Sequence, residues 1–272
     1  MERERPTDEA YDEADAALSQ GELERVEELL GPWVADDVRD PEACALVGLA
    51  RYYADDHEHA RPLLEWAVDH DCGGPETKAA LGACEFMANE IDSAEEHLTE
   101  AVKEEPDWAE GHYWLACLRE WQSRHEPALA HEAEKGFAIA AQLDPEGFPV
   151  PPRLSEDEFD SVLEEAIREL PPEFAIRLEE VNVVVEPYPD DALFGKGRGT
   201  PGPDLVGYYD DGVPRDGASA ESVPGVIHLF QRNLELSCGT REELVEEIRV
   251  TLLHEVGHYL GMEEEDLEEL DL

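Results

Sequence analysis

Apolar positions in the first half of the chain recur at two periods. Within short segments they fall three and four residues apart, as on amphipathic helices. Between segments the pattern returns every 34 residues, with Thr7, Pro41, Pro75 and Ala109 as starts. The eighth position then reads Ala14, Gly48, Gly82 and Ala116, a small residue suited to a helix crossing. The twentieth reads Val26, Ala60, Ala94 and, after a five-residue insertion, Ala133. The twenty-fourth reads Leu30, Leu64, Leu98 and Phe137, and the twenty-seventh Trp33, Ala67, Ala101 and Ala140. The pattern predicts four helix pairs over residues 7–147, an all-α solenoid in which each pair buries its apolar face against its neighbours. The insertion near 121–127 is expected to lengthen one connection and make the last pair irregular.

Beyond a Pro-rich stretch (Pro145, Pro149, Pro151, Pro152) the pattern changes, so a linker is expected over 148–154 and a second domain over 155–272. Phe159, Val162, Leu163, Ala166, Ile167 and Leu170 form a helical stripe over 156–170. Pro171 and Pro172 end it, and a second helix is expected over 173–180. Residues 181–185 are β-branched and short, as in a strand; 226–230 read as a second strand; the Gly- and Pro-rich residues 187–204 read as a loop. A last helix opens at Thr240, with Glu243 as its capping-box partner. Val245, Ile248, Leu252 and Val256 form its apolar stripe, and Gly261 is a natural stop.

That helix carries His254-Glu255-Val256-Gly257-His258. Histidines four apart share one helical face, and their nitrogens can converge on one Zn²⁺ at about 2.0–2.1 Å. Glu255, next to the first histidine, is placed to act as general base toward an attacking water. A catalytic zinc site needs a third protein ligand and an open position. Glu264 lies six residues after His258, at the third-ligand spacing of the longer zincin pattern. Glu263, Glu265 and Asp266 compete with it, Asp266 foremost, and His228 in the second strand is a more distant candidate. Tyr208, Tyr209, Tyr259 and His228 are the available oxyanion donors, and residues 227–230 offer a strand for pairing an extended substrate.

Two resemblances add to this reading. Leu81-Gly82, Ala94, Leu98, Ala101 and Pro106 resemble the tetratricopeptide repeat, which implies a curved array that binds a peptide or protein. Tyr52, Tyr53, His112, Tyr113, Arg119 and Trp121 fall on first helices of its pairs, divided between groove and packing. From Ser155 onward the chain resembles the small bacterial zincin-like metallopeptidases. The resemblance rests on Phe159 to Ala166, Leu170 to Phe174, Val181 to Glu186, Leu205 to Tyr209, Ile227 to Phe230 and, most specifically, Val250 to Gly261. It implies a compact α+β domain of two helices, a small sheet and the active-site helix. The family usually has Asp where this chain has Glu264, and the longer side chain could reach the same metal from a slightly different backbone position.

The net charge is −49, from 69 acidic and 20 basic residues, only four of them Lys. Nucleic acid is therefore disfavoured as a partner, because phosphate contact needs basic patches. Such acidity suits a salty cytoplasm, where repulsion is screened, and equally an acidic proteome. No apolar run is long enough to span a membrane and no apolar leader opens the chain, so no membrane association is expected. The five scattered cysteines (Cys44, Cys72, Cys84, Cys117, Cys238) fit reduced thiols in a cytoplasm. The leading expectation is a zinc peptidase whose repeats recruit a substrate or regulator. The alternative is a non-catalytic scaffold whose zincin-like domain binds metal structurally or is inactive.

Overall fold

The computed structural model describes residues 5–35, 39–190, 202–211, 225–262 and 267. The chain divides into two compact units, Met1–Phe148 and Pro149–Leu272.

The first unit pairs α1 (Asp8–Ser19) with α2 (Leu23–Leu30), α3 (Pro41–Tyr53) with α4 (His57–Asp69), α5 (Pro75–Met87) with α6 (Ile91–Glu104), and α7 (Ala109–Gln122) with α8 (Ala130–Leu143). One turn closes the first three pairs. Gly21, Asp55 and Asn89 stand 34 residues apart in the left-handed region, at φ 72°, 64° and 60°. Gly, Asn and Asp enter that region most readily among the amino acids. The next amide then reaches back to cap the first helix: Glu22 N to Ala17 O at 2.9 Å, Asp56 N to Arg51 O at 2.9 Å, Glu90 N to Glu85 O at 2.8 Å. After α7 this device is lost. Ser123 stays right-handed, and the inserted residues carry a 3₁₀ turn at Pro127–Leu129.

The small residues at the eighth repeat position do set the helix crossings. A Cβ at Gly48 would stand 2.8 Å from Leu64, and one at Gly82 would stand 2.7 Å from Leu98. In the fourth pair the roles reverse, with Gly136 of α8 facing Ala116 of α7, where a Cβ would approach to 2.7 Å. Leu30, Leu64, Leu98 and Phe137 are fully buried behind these crossings. Of the first-helix aromatics, Trp121 and Tyr52 are buried, Tyr113 packs on Phe137 and Phe148, and Tyr53 is exposed.

Asp40 ties the first two pairs together. Its carboxylate caps α3 through the Glu42 and Ala43 amides, both at 3.1 Å. It also accepts from Tyr11 Oη at 2.6 Å and from Arg5 Nε at 2.9 Å. Burial pushes its pKa up, but Tyr11, the Ala43 amide and Arg5 together hold it below the usual carboxylate range.

The second unit contains α9 (Glu156–Glu169), α10 (Pro172–Leu178), β1 (Asn182–Glu186), β2 (Gly207–Asp210), β3 (Val226–Phe230), α11 (Gln231–Leu236) and α12 (Arg241–Tyr259). Among the described residues the sheet order is β1-β3-β2, with β1 parallel and β2 antiparallel to β3. Ile227 and Leu229 of β3 meet Phe159, Val162 and Ala166 of α9 and Leu252 and Val256 of α12 in one core. Ser155 and Glu158 form a capping box at α9, and Thr240 and Glu243 form another at α12.

Of residues 148–154, expected as a linker, those from Pro149 onward belong to this unit. Leu154 packs against the core, its N–H donates to Glu235 Oε1 at 3.0 Å, and its carbonyl accepts from Gln231 Nε2 at 2.9 Å. Glu235 on α11 is completely buried and also accepts from Arg232 Nη1 at 2.7 Å. A buried carboxylate needs such partners, and here a backbone segment supplies one.

Candidate metal and catalytic site

His254, Glu255 and His258 lie in the last two turns of α12, a helix buried on several sides by Leu244, Ile248, Leu252, Leu253 and Val256. The Nε2 atoms of His254 and His258 face each other at 3.0 Å. One proton at most fits between them, so at least one nitrogen presents its lone pair. Two imidazole ligands on a tetrahedral zinc would stand about 3.3 Å apart, from metal–nitrogen lengths of about 2.0–2.1 Å. The observed pair fits that requirement closely.

The end of α12 orients the second histidine. Gly261 is left-handed at φ 81°, the Gly261 amide reaches His258 O at 2.9 Å, and the Met262 amide reaches Gly257 O at 3.1 Å. This double cap turns the Met262 carbonyl back to His258 Nδ1, 3.2 Å away. A proton held on Nδ1 by that carbonyl leaves Nε2 as the acceptor nitrogen. The sequence marks Gly261 as a stop; its second role needs the geometry.

Glu255 is buried, and β2 lies on it. A Cβ at Gly207 would stand 2.5 Å from Thr251 Cγ2 and 3.1 Å from Glu255 Oε1. Only glycine lets the strand approach the helix this closely. Gly257 is covered by Leu267, which is fully buried, and by Met262.

Glu263, Glu264, Glu265 and Asp266 lie outside the described residues, between Met262 and Leu267. Among the described residues no cluster of three His, Cys, Asp or Glu side chains is arranged to hold a metal ion. His228 is engaged elsewhere: its Nδ1 meets Glu186 Oε2 at 2.7 Å across the β1–β3 pair. Tyr259 donates its hydroxyl to Glu180 Oε2 at 2.8 Å, which raises the tyrosine pKa and lowers that of the glutamate. Tyr209 packs edge-on against Tyr259. Tyr208 alternates with Gly207 along β2 and so shares the face of His228, away from α12.

The expectation that residues 227–230 pair an extended substrate is overturned. Both edges of β3 are taken, by β1 and β2. β2 brings Gly207 against Thr251 and Glu255 of α12.

Among the described residues no helix is long and apolar enough to cross a membrane. No curated protein matches the chain. Two solved structures of MamA are similar to it. That of AMB-1 is 19% identical over 50% of this chain and 72% of its own, at a TM-score of 0.40. That of MSR-1 is 23% identical over 51% and 76%, at a TM-score of 0.39. Residues 178–272, which include all of α12, match the family model described as zincin-like metallopeptidase, and the small α+β architecture of this unit is consistent with a zincin-like domain.

Proposed function

We propose that the C-terminal unit is a zinc-dependent peptidase and that the repeats bring a protein or peptide to it. The observation that carries this reading is the pair of histidine Nε2 atoms 3.0 Å apart beside a buried Glu255. His254 and His258 would hold the ion, with Glu264 as the third ligand on its spacing and Asp266 as the competing residue. The described neighbours of that segment, Met262 and Leu267, both pack on Gly257 of the same helix. A bound zinc would supply Lewis acidity, polarising the scissile carbonyl and acidifying a water.

Glu255 takes the proton from the attacking water and delivers it to the leaving amine. Gly207 and Thr251 flank its side chain and limit its motion. His258 is kept in one tautomer by the Met262 carbonyl, so its Nε2 need not lose a proton when the ion arrives.

The test is cleavage of a peptide library by the wild type and by Glu255→Gln, with zinc content measured on both. Retained zinc and a fall of about 10²–10⁴ in kcat/KM for the variant support the peptidase. Equal, background cleavage by two zinc-loaded proteins would instead make this unit a scaffold with a structural metal. Zinc lost from Glu264→Ala but kept by Asp266→Ala supports Glu264 as ligand, and the reverse assigns Asp266.

A further inference from the structure

The inner helices of the first three pairs line a cavity of about 430 Å³. Leu18, Leu46 and Leu49 give it apolar wall, and Asp12, Asp15 and Glu42 give it acidic wall. Glu76, at the start of α5, lines the same cavity and also accepts from Tyr53 Oη at 2.7 Å. Next along the array stands Glu110 of α7, half-buried, which accepts from Tyr52 Oη at 2.7 Å. Trp114 Nε1 donates in turn to that hydroxyl, also at 2.7 Å.

The chain is acidic everywhere, so acidity alone distinguishes nothing. What sets Glu110 apart is its partners. Among other shielded carboxylates of the repeats, Asp40 pairs with Arg5, Glu95 pairs with Arg119, and Glu85 pairs with His97, whose pKa that contact raises. Among the described residues Glu110 and Glu76 hold no cation; their partners are neutral hydroxyls and an indole. Burial and then repulsion from Glu76 push the pKa of Glu110 up, against the pull of Tyr52. A cation between the two carboxylates would remove the repulsion and offset the burial. The exposed ring of Tyr53 beside them adds a face on which a guanidinium can stack.

We propose that the groove formed by α1, α3, α5 and α7 binds an extended peptide through an arginine side chain seated between Glu76 and Glu110, with an adjacent apolar residue against Leu46 and Leu49. This deepens the recruiting role given to the repeats above and does not depend on catalysis by the other unit.

The test uses the full chain carrying Glu255→Gln, so that cleavage cannot consume the probe. The probe is a fluorescein-labelled hexapeptide alternating arginine and leucine, and its counterpart has citrulline for arginine. Anisotropy is read in about 0.3 M KCl, where the screening length is below about 8 Å and diffuse attraction is weak. Glu76→Gln and Glu110→Gln are each expected to weaken binding at least about tenfold. Glu65→Gln, an exposed change on α4 that removes the same charge, should weaken it less than about twofold. The citrulline peptide should not bind measurably. Glu76 is exposed, so its variant tests the groove even if the change at Glu110 disturbs folding. Equal weakening by Glu65→Gln and Glu76→Gln, or equal binding of the two peptides, would overturn the proposal while leaving the peptidase reading untouched.

Discussion

Gly207→Ala inserts one methyl group where β2 meets α12. The new Cβ would lie 2.5 Å from Thr251 Cγ2, well inside any real carbon–carbon contact, and 3.1 Å from Glu255 Oε1. Overpacking of this kind costs about 1–3 kcal/mol. Thr251→Ser deletes the methyl that is struck and keeps the hydroxyl that donates to Glu247 O at 2.8 Å, so alone it should cost about 0.5–1.5 kcal/mol, as for loss of one buried methyl. The double variant should be more stable than Gly207→Ala alone, with a favourable coupling of about 1–2 kcal/mol. Hydrogen exchange of α12 amides in the full chain isolates this unit from the repeats. Gly207→Ala should speed exchange about 5- to 150-fold, and adding Thr251→Ser should recover much of that. The 3.1 Å approach to Glu255 survives in the double variant, so on the proposed function its peptidase rate should stay below wild type while zinc is retained. Costs that simply add, within about 0.3–0.5 kcal/mol, would mean that the strand and helix do not meet at these atoms.

Gly261→Ala places a Cβ at φ 81°, costs about 1–2 kcal/mol, and should lower zinc affinity about tenfold by moving the Met262 carbonyl off His258. Competition with a chromophoric chelator reads this, and unchanged affinity would remove the carbonyl from the site. Asp40 and Glu110 of the repeats give opposite pH slopes. Asp40 is depressed, so its stabilisation is present above the unfolded value of about 3.9 and is lost as pH falls through its lower folded value. Tyr11→Phe should move acid unfolding of the repeats to higher pH. Glu110 is raised, so its unfavourable contribution grows as pH rises through its folded value. Glu110→Gln should therefore raise the melting temperature at pH 7 and lose that advantage near pH 4; an advantage constant with pH would show that Glu110 is not the titrating group. With a net charge of −49, the melting temperature should climb as KCl goes from about 0.05 M to about 1 M, and a flat series would strip the acidity of any link to salt.

The repeat period was legible because it is written in residue size. Gly48, Gly82 and the buried Leu30, Leu64 and Leu98 occupy sites where one methyl matters. A second marker at the same period, Gly21, Asp55 and Asn89, was equally available and marks the turns more sharply than the helices do. The helix of the histidines was legible from its capping box and its stop, and the pair from its spacing. The capping box of Ser155 and Glu158 is written as plainly. Strand order was not legible: residues 226–230 look like an edge strand and are central, because hydrophobic alternation says nothing about which neighbour pairs. Nor was Glu235, since one buried acid among 69 acidic residues carries no mark in the sequence.

The recurrent left-handed turn has a consequence for how such an array grows. Gly21, Asp55 and Asn89 return the chain to the same place every 34 residues, with the same back-bonded amide after each. A tandem duplication of 34 codons, for instance those of residues 41–74, would therefore add a helix pair whose two new junctions copy an existing one, and lengthen the groove by one inner helix without altering any other register. The same duplication taken across α7 and α8 would carry the five-residue insertion and the reversed Ala116–Gly136 crossing with it, and would repeat an irregular junction. Array length is thus an open variable upstream of α7 and a closed one beyond it, which makes the fourth pair the natural terminus of the series.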